Sequence, residues 1–234
     1  SASVLNISTI EDPIEYTMPR ITQMQINPGA EFTFPAGLRA ILRQDPDIVM
    51  VGEIRDGETA STAVRASLTG RPLFSALHTN NAIGTIPRLL DMGVEPYLVA
   101  STLRLAVAQR LVRKLCPHCR EQYYPEGKTL ENMRSFSDET LTLRVLKKYG
   151  IIPEEILSFA EVPLFREKGC SRCDFTGYSG RVGIFEVLEM NDDIRKATTA
   201  GKDDAVFKKI LEDDGFKTLG IDGLAKAILG TTNL

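Results

Sequence analysis

Residues 42–56, LRQDPDIVMVGEIRD, constrain the fold more than any other part of the chain. Asp45-Pro46 shuts off any helix before them. Ile48 to Val51 are apolar, and Glu53, Arg55 and Asp56 arrive as soon as that run ends. A short apolar run bounded by breakers reads as a strand buried on both faces, the kind found in parallel sheets covered by helices. The neighbouring sequence agrees. VLNISTI is a second such run, ending near residues 9–10, and PLFSALHTN is a third. AGLRAILRQD places Leu38, Ile41 and Leu42 at helical spacing, and GETASTAVRASLTG is a small-residue helix with Gly70 as its stop. AIGTIPRLLDMG continues the helical pattern, and PYLVASTLRLAVAQRLVRKL, starting at Pro96, is the longest helix expected, its basic end suited to a helix C-terminus. The alternation gives an α/β fold with a largely parallel sheet over residues 1–115.

Residues 116–175 are more polar, with helical pieces in SDETLTLRVLKKYG and PEEILSF. Residues 176–234 return to strand in RVGIFEVLEM and then to helix, with Asn191 as its N-cap. Three parts are therefore expected: 1–115, 116–175 and 176–234. Hydrophobic residues make up 43% of the 234 and charged residues 25%, ordinary for a globular protein with a sizeable core. A net charge of −3 exerts no general pull on nucleic acid or anionic lipid. No apolar run is long enough for a membrane span, so direct membrane insertion is not expected.

In open α/β sheets ligands bind at the carboxyl ends of the strands. Three strand ends carry polar clusters: Glu11-Asp12, Glu53 with Arg55 and Asp56, and His78-Thr79-Asn80. If the strands are parallel, the clusters share one edge, where carboxylates can hold Mg²⁺ or polarise a water. Each has a plainer reading. Glu53 or Asp56 could cap the next helix, His78 could be a satisfied strand-end histidine, and Arg39 and Arg43, four apart on one helix face, could be solvated.

Cys116-Pro-His-Cys119 and Cys170-Ser-Arg-Cys173 form two CxxC pairs. Doubled CxxC reads as a closed tetrahedral Cys₄ zinc site of structural role, with His118 pointing to solvent and a disulfide or redox pair as the alternative. Their separation exceeds the ~15–20 residues of common ribbons, so the intervening residues should form a small lobe of their own.

TIEDPIEY, LRAILRQDPDIVMVGEIRDGETA and LHTN together resemble the aspartate box, Walker B segment and histidine box of the type II secretion and type IV pilus assembly ATPases. QRLVRKLCPHC, CSRC and GYSGRVGIFEVL continue the resemblance through that family's zinc-binding insert. The resemblance implies a RecA-like P-loop NTPase core with a tetracysteine insert and a C-terminal helical segment. It implies a homo-hexamer at the cytoplasmic face of the inner membrane, hydrolysing Mg-ATP to drive pseudopilus or pilus assembly against membrane platform proteins. By the same resemblance Glu53 holds Mg²⁺ through water, Glu11 activates the attacking water and Asp12 supports it. His78 senses the γ-phosphate or links subunits, and Arg39, Arg43 and Arg55 couple phosphate charge to neighbouring subunits. Retraction motors of the wider group generally lack the four cysteines, which favours assembly over retraction.

The family's phosphate loop, GxxxxGK[ST], is not in this sequence. Gly127-Lys128-Thr129 comes nearest, but Gln122 stands where the first glycine belongs, and no strand is expected before it. The chain opens Ser-Ala-Ser, so the expectation is a cut upstream of the aspartate box and an inactive fragment of an active ATPase. Two other readings stand beside this one: a non-catalytic docking piece, and a nucleic-acid-binding zinc lobe, for which only Lys147-Lys148 speak.

Overall fold

The computed structural model describes residues 4–234; the opening Ser1-Ala2-Ser3 lies outside them. The chain divides into two compact units. The first takes the described residues up to Arg104 together with Met190–Lys202, and the second Leu105–Glu189 with Asp203–Leu234. This differs from the expected division at 115 and 175.

The first unit is built on a four-stranded parallel sheet, β1 (Ile7–Glu11), β2 (Thr22–Gln25), β3 (Ile48–Glu53) and β4 (Leu73–Ala76), in the order β2-β1-β3-β4. β2 was not expected: TQMQ has no apolar run, and its strand state comes from pairing with β1. The connections run through α1 (Phe34–Leu42) and α2 (Gly57–Ser67). Thr33 caps α1 by accepting from the Ala36 N–H at 3.4 Å, with Pro35 in the first turn where no N–H is needed. Ile10, Val49 and Val51 of the central strands and Leu38 and Ile41 of α1 are fully or almost fully buried. Gly37 makes this packing possible, since a Cβ there would sit 2.0 Å from Ile10 Cδ1 and 3.0 Å from Phe32 Cζ. Beyond β4 come α3 (Thr85–Asp91) and α4 (Pro96–Thr102), and the returning α7 (Asp192–Thr199) packs on α4. Asn191 caps α7 as expected, accepting from the Ile194 N–H at 2.9 Å. Among the described residues β4 is paired on one side only, and Phe74 is 60% exposed.

The expected long helix from Pro96 to Leu115 is corrected: it ends at Thr102, and Leu105–Leu115 form β5. Ala, Gln, Arg, Leu and Lys favour a helix locally, but β5 pairs antiparallel along its length with β8 (Tyr178–Glu189), and tertiary pairing outweighs propensity. In the second unit β6 (Glu121–Tyr123) pairs antiparallel with β7 (Leu164–Arg166). α5 (Gly127–Phe136), α6 (Glu139–Lys148), α8 (Asp204–Asp213) and α9 (Leu219–Ile228) complete it. A strand, β6, therefore does precede Gly127-Lys128-Thr129, although Gln122 still denies that segment the phosphate-loop pattern. PEEILSF, expected to be helical, forms turns leading into a single 3₁₀ turn at Phe159–Glu161. Phe159, Val162, Leu164, Val145 and Leu146 share one buried cluster with Ala225, Ala227 and Ile228 of α9. The C-terminal helix thus completes the core of the segment between the cysteine pairs, which is why that segment is not a unit of its own. Among the described residues no helix is long and apolar enough to cross a membrane.

Candidate functional site

Parallel pairing carries Glu11 and Glu53 to the same edge of the sheet. β1 and β3 are neighbours, with Ile10 opposite Val51, and each strand ends on its glutamate. β4 lies on the other side of β3, and His78 follows it. The β3–β4 register shifts between Val51 and Glu53, which releases Glu53 from strict alternation with Val49 and Val51.

Both oxygens of Glu53 are engaged. Oε1 forms an ion pair with the Arg55 guanidinium, and Oε2 accepts from His78 Nε2 at 2.7 Å. Arg55 first, then His78, holds the Glu53 carboxyl below the usual carboxylate range. Arg55 is in turn pushed above its ordinary value by Glu53, with a smaller contribution from the charge of Asp12. Asp56 takes the plainer of the two roles open to it: it caps α2, accepting from the Thr59 N–H and Oγ1, both at 2.8 Å. Glu11 is buried, with 8% of the residue exposed, and its Oε1 accepts from Thr9 Oγ1 at 2.6 Å and Gln23 Nε2 at 2.9 Å. The structure thus gathers Glu53, Arg55, His78, Glu11 and Asp12 at one edge.

Among the described residues neither Arg39 nor Arg43 is bonded to that group. Arg39 pairs with Glu58 at 3.0 Å, both side chains half exposed or more, and such surface pairs contribute only ~0–1 kcal/mol. Arg43 ends α1 just before the 44–47 loop, which Asn6 ties to the amino end of β1 through hydrogen bonds to Gln44 O, Asp45 O and Asp47 Oδ2. That puts Arg43 at the opposite edge of the sheet. Sequence reasoning missed Thr9 and Gln23. Thr9 was findable, two residues before Glu11 on the same strand face, whereas Gln23 lies on the strand that left no pattern.

The second unit gathers Cys116, Cys119, Cys170 and Cys173, whose sulfurs all lie within 4.8 Å of one another and could hold a metal ion. Sγ separations are 3.9 Å for Cys116–Cys170, 3.9 Å for Cys119–Cys173 and 3.8 Å for Cys170–Cys173. Four sulfurs at the ~2.3 Å of a Zn–S bond in a tetrahedron stand ~3.8 Å apart, whereas a disulfide needs ~2.05 Å. Gly169, at φ +97°, begins the second turn, and a Cβ there would meet the Phe175 carbonyl oxygen at 2.6 Å. Burial pushes the Cys119 thiol up to about 11. At Cys173 burial also pushes up, but the N–H groups of Cys170 and Gly177, both 3.3 Å from Sγ, help bring it down to about 6. His118 is exposed against Arg172 and is not one of the four clustered ligands. Of the Lys147-Lys148 pair, Lys148 donates to the Asp214 carbonyl.

The type II/IV secretion system protein family matches the chain over residues 1–234. A type II secretion system protein E from Klebsiella pneumoniae is 46% identical over 228 residues, covering 97% of this chain and 41% of that protein. The type IV pilus assembly ATPase PilB of Thermus thermophilus is 45% identical over 229 residues, 98% of this chain and 24% of its own length. The chain therefore spans less than half of either relative. A crystal structure of the pilus retraction motor PilT with bound ADP superposes with a TM-score of 0.63 at 26% identity, covering 98% of this chain and 50% of that one. The Legionella pneumophila ATPase DotB gives 0.60 at 19% identity, over 99% of this chain and 52% of its own, a likeness of fold. Matched from end to end, with its acids and histidine gathered at one edge of a parallel sheet, this chain belongs to the type II/IV secretion system protein family.

Proposed function

We propose that this chain is part of the RecA-like motor of a hexameric ATPase that drives type II secretion or type IV pilus assembly at the cytoplasmic face of the inner membrane. The observation that carries the reading is the meeting of Glu11 and Glu53 at the carboxyl ends of adjacent parallel strands, with His78 on Glu53. Phosphoryl transfer is mostly positioning and charge neutralisation, and this edge holds acids and cations suited to both. Bound Mg²⁺ would supply charge neutralisation at the phosphates. Of the chain's own groups, Glu53 would hold the metal through water and Glu11 would take the proton of the attacking water with Asp12 beside it. His78 would sense the γ-phosphate or link subunits. Arg39, paired with Glu58, and Arg43, at the opposite edge, are assigned to contacts with neighbouring subunits, and Arg55 to the same coupling from within the site.

The phosphate loop is assigned to the part of the protein that these residues do not span. The outer edge of β4, unpaired among the described residues, suits the strand that would carry it, because an unpaired parallel edge accepts another strand. Purified residues 1–234 should therefore show no ATP turnover, whereas the longer protein should hydrolyse ATP and lose that activity on Glu53→Gln. Turnover by residues 1–234 alone would overturn the assignment of the loop, and an unimpaired Glu53→Gln variant that of the site. The four cysteines are assigned to a structural Zn²⁺, for which their ~3.8 Å spacing is the support.

A further inference from the structure

We propose that Gln23, helped by Thr9, is a positioning residue for Glu11 and makes the orientation of that carboxylate depend on the loop between β1 and β2. The proposal rests on the assignment of Glu11 as the acid that activates water. Thr9 and Glu11 share one face of β1, and Gln23 stands opposite Thr9 on β2. Both donors, Thr9 Oγ1 and Gln23 Nε2, act on the same oxygen, Oε1. Among the described residues Oε2 receives no hydrogen bond, so one oxygen is fixed and the other is left for substrate.

The loop decides which way the Gln23 amide faces. The Met18 N–H donates to Gln23 Oε1 at 2.7 Å, and Gln23 Nε2 donates to the Tyr16 carbonyl at 3.0 Å. Rotating the amide by half a turn would set N–H against N–H and oxygen against oxygen, so only one orientation satisfies the loop. In that orientation the remaining N–H of Nε2 is directed at Glu11. The loop sets the amide, and the amide sets the acid. Gln25, one strand position pair further on, accepts from the Ile14 N–H at 3.3 Å, so the same loop is held near its start as well. Nothing in the sheet itself asks for this arrangement, since any strand-forming residue could occupy position 23 on an edge strand.

Steady-state ATPase kinetics on the longer protein test the idea. Gln23→Ala should lower kcat ~10–100-fold, the scale of a misplaced catalytic group, with KM for ATP unchanged. Gln23→Glu keeps an acceptor for Met18 but loses the donors to Glu11 and to the Tyr16 carbonyl, and sets a second carboxylate beside Glu11. Positioning predicts a loss at least as deep as for Gln23→Ala, and the Glu11→Gln background separates it from loss of the loop contact. Thr9→Val, nearly isosteric, should lower kcat in the same direction by less. In a Glu11→Gln background none of these changes should cost more, because all act through one carboxylate. Normal kcat in Gln23→Glu, or additive losses in the Glu11→Gln background, overturns the positioning role while leaving Glu11 as the acid. Full turnover by Glu11→Gln overturns the assignment of Glu11 itself, and the proposal with it.

Discussion

Glu53 has a cation on one oxygen and an imidazole on the other, and this makes it acid-sensitive in a predictable direction. Its carboxyl is held below the usual range by Arg55 and then His78. A carboxyl depressed in the folded state contributes stability that is complete above its unfolded value and lost as pH falls through the folded one. The melting-temperature difference between wild type and Glu53→Gln should therefore be constant near neutral pH and shrink below about 4.3, read by calorimetry across a pH series. Asp222 is a second such group, with only 6% of its side chain exposed. Burial pushes it up, but Lys217, Lys226 and the Phe185 N–H together bring it below its ordinary value. Asp222→Ala leaves those donors without their acceptor and should cost ~1–3 kcal/mol in denaturant unfolding, a penalty that fades in acid by the same sign argument. Residue chemistry was legible where a side chain acts beside its own strand, as with Glu53 and Arg55. It was ambiguous where two local roles compete, and only geometry separated Asp56, which caps α2, from Glu53, which does not.

Elements followed the sequence wherever burial and local pattern agree. β1, β3, α1 and α2 have apolar spacing, breakers and caps that all point the same way. β5 did not follow: its residues suit a helix, and only the partner strand, more than sixty positions away at its near end, makes it extended. β2 is the converse case, a strand with no pattern because it lies at the sheet edge and packs little. Between elements, Gly37 lets α1 lie close against β1. Gly37→Ala should destabilise by ~1–3 kcal/mol through overpacking against Ile10 and Phe32, although alanine favours the helix by up to ~1 kcal/mol. A stabilised variant in urea unfolding would show that Ile10 can move aside at no cost.

At the scale of the molecule the chain leaves the first unit at residue 104, returns for 190–202 and leaves again. Metal removal should consequently act on one unit. Metal analysis of protein purified without chelators should find one zinc per chain, and Cys116→Ser should abolish it. Chelation should open the second unit to protease around the cysteine turns while amides of β1 and β3 keep their hydrogen-exchange protection. Equal loss of protection in both units would argue against a local structural metal. By itself the sequence determined the parallel α/β core, the carboxylates at its strand ends and the two CxxC motifs, because each is written in contiguous residues whose spacing dictates where side chains point. Only the tertiary structure decided that Leu105–Leu115 is a strand, that the last helix completes the core beside the cysteines, and that Gln23 holds Glu11. Each of those depends on a partner distant in the chain, and its energy comes from pairing and burial that no local pattern records.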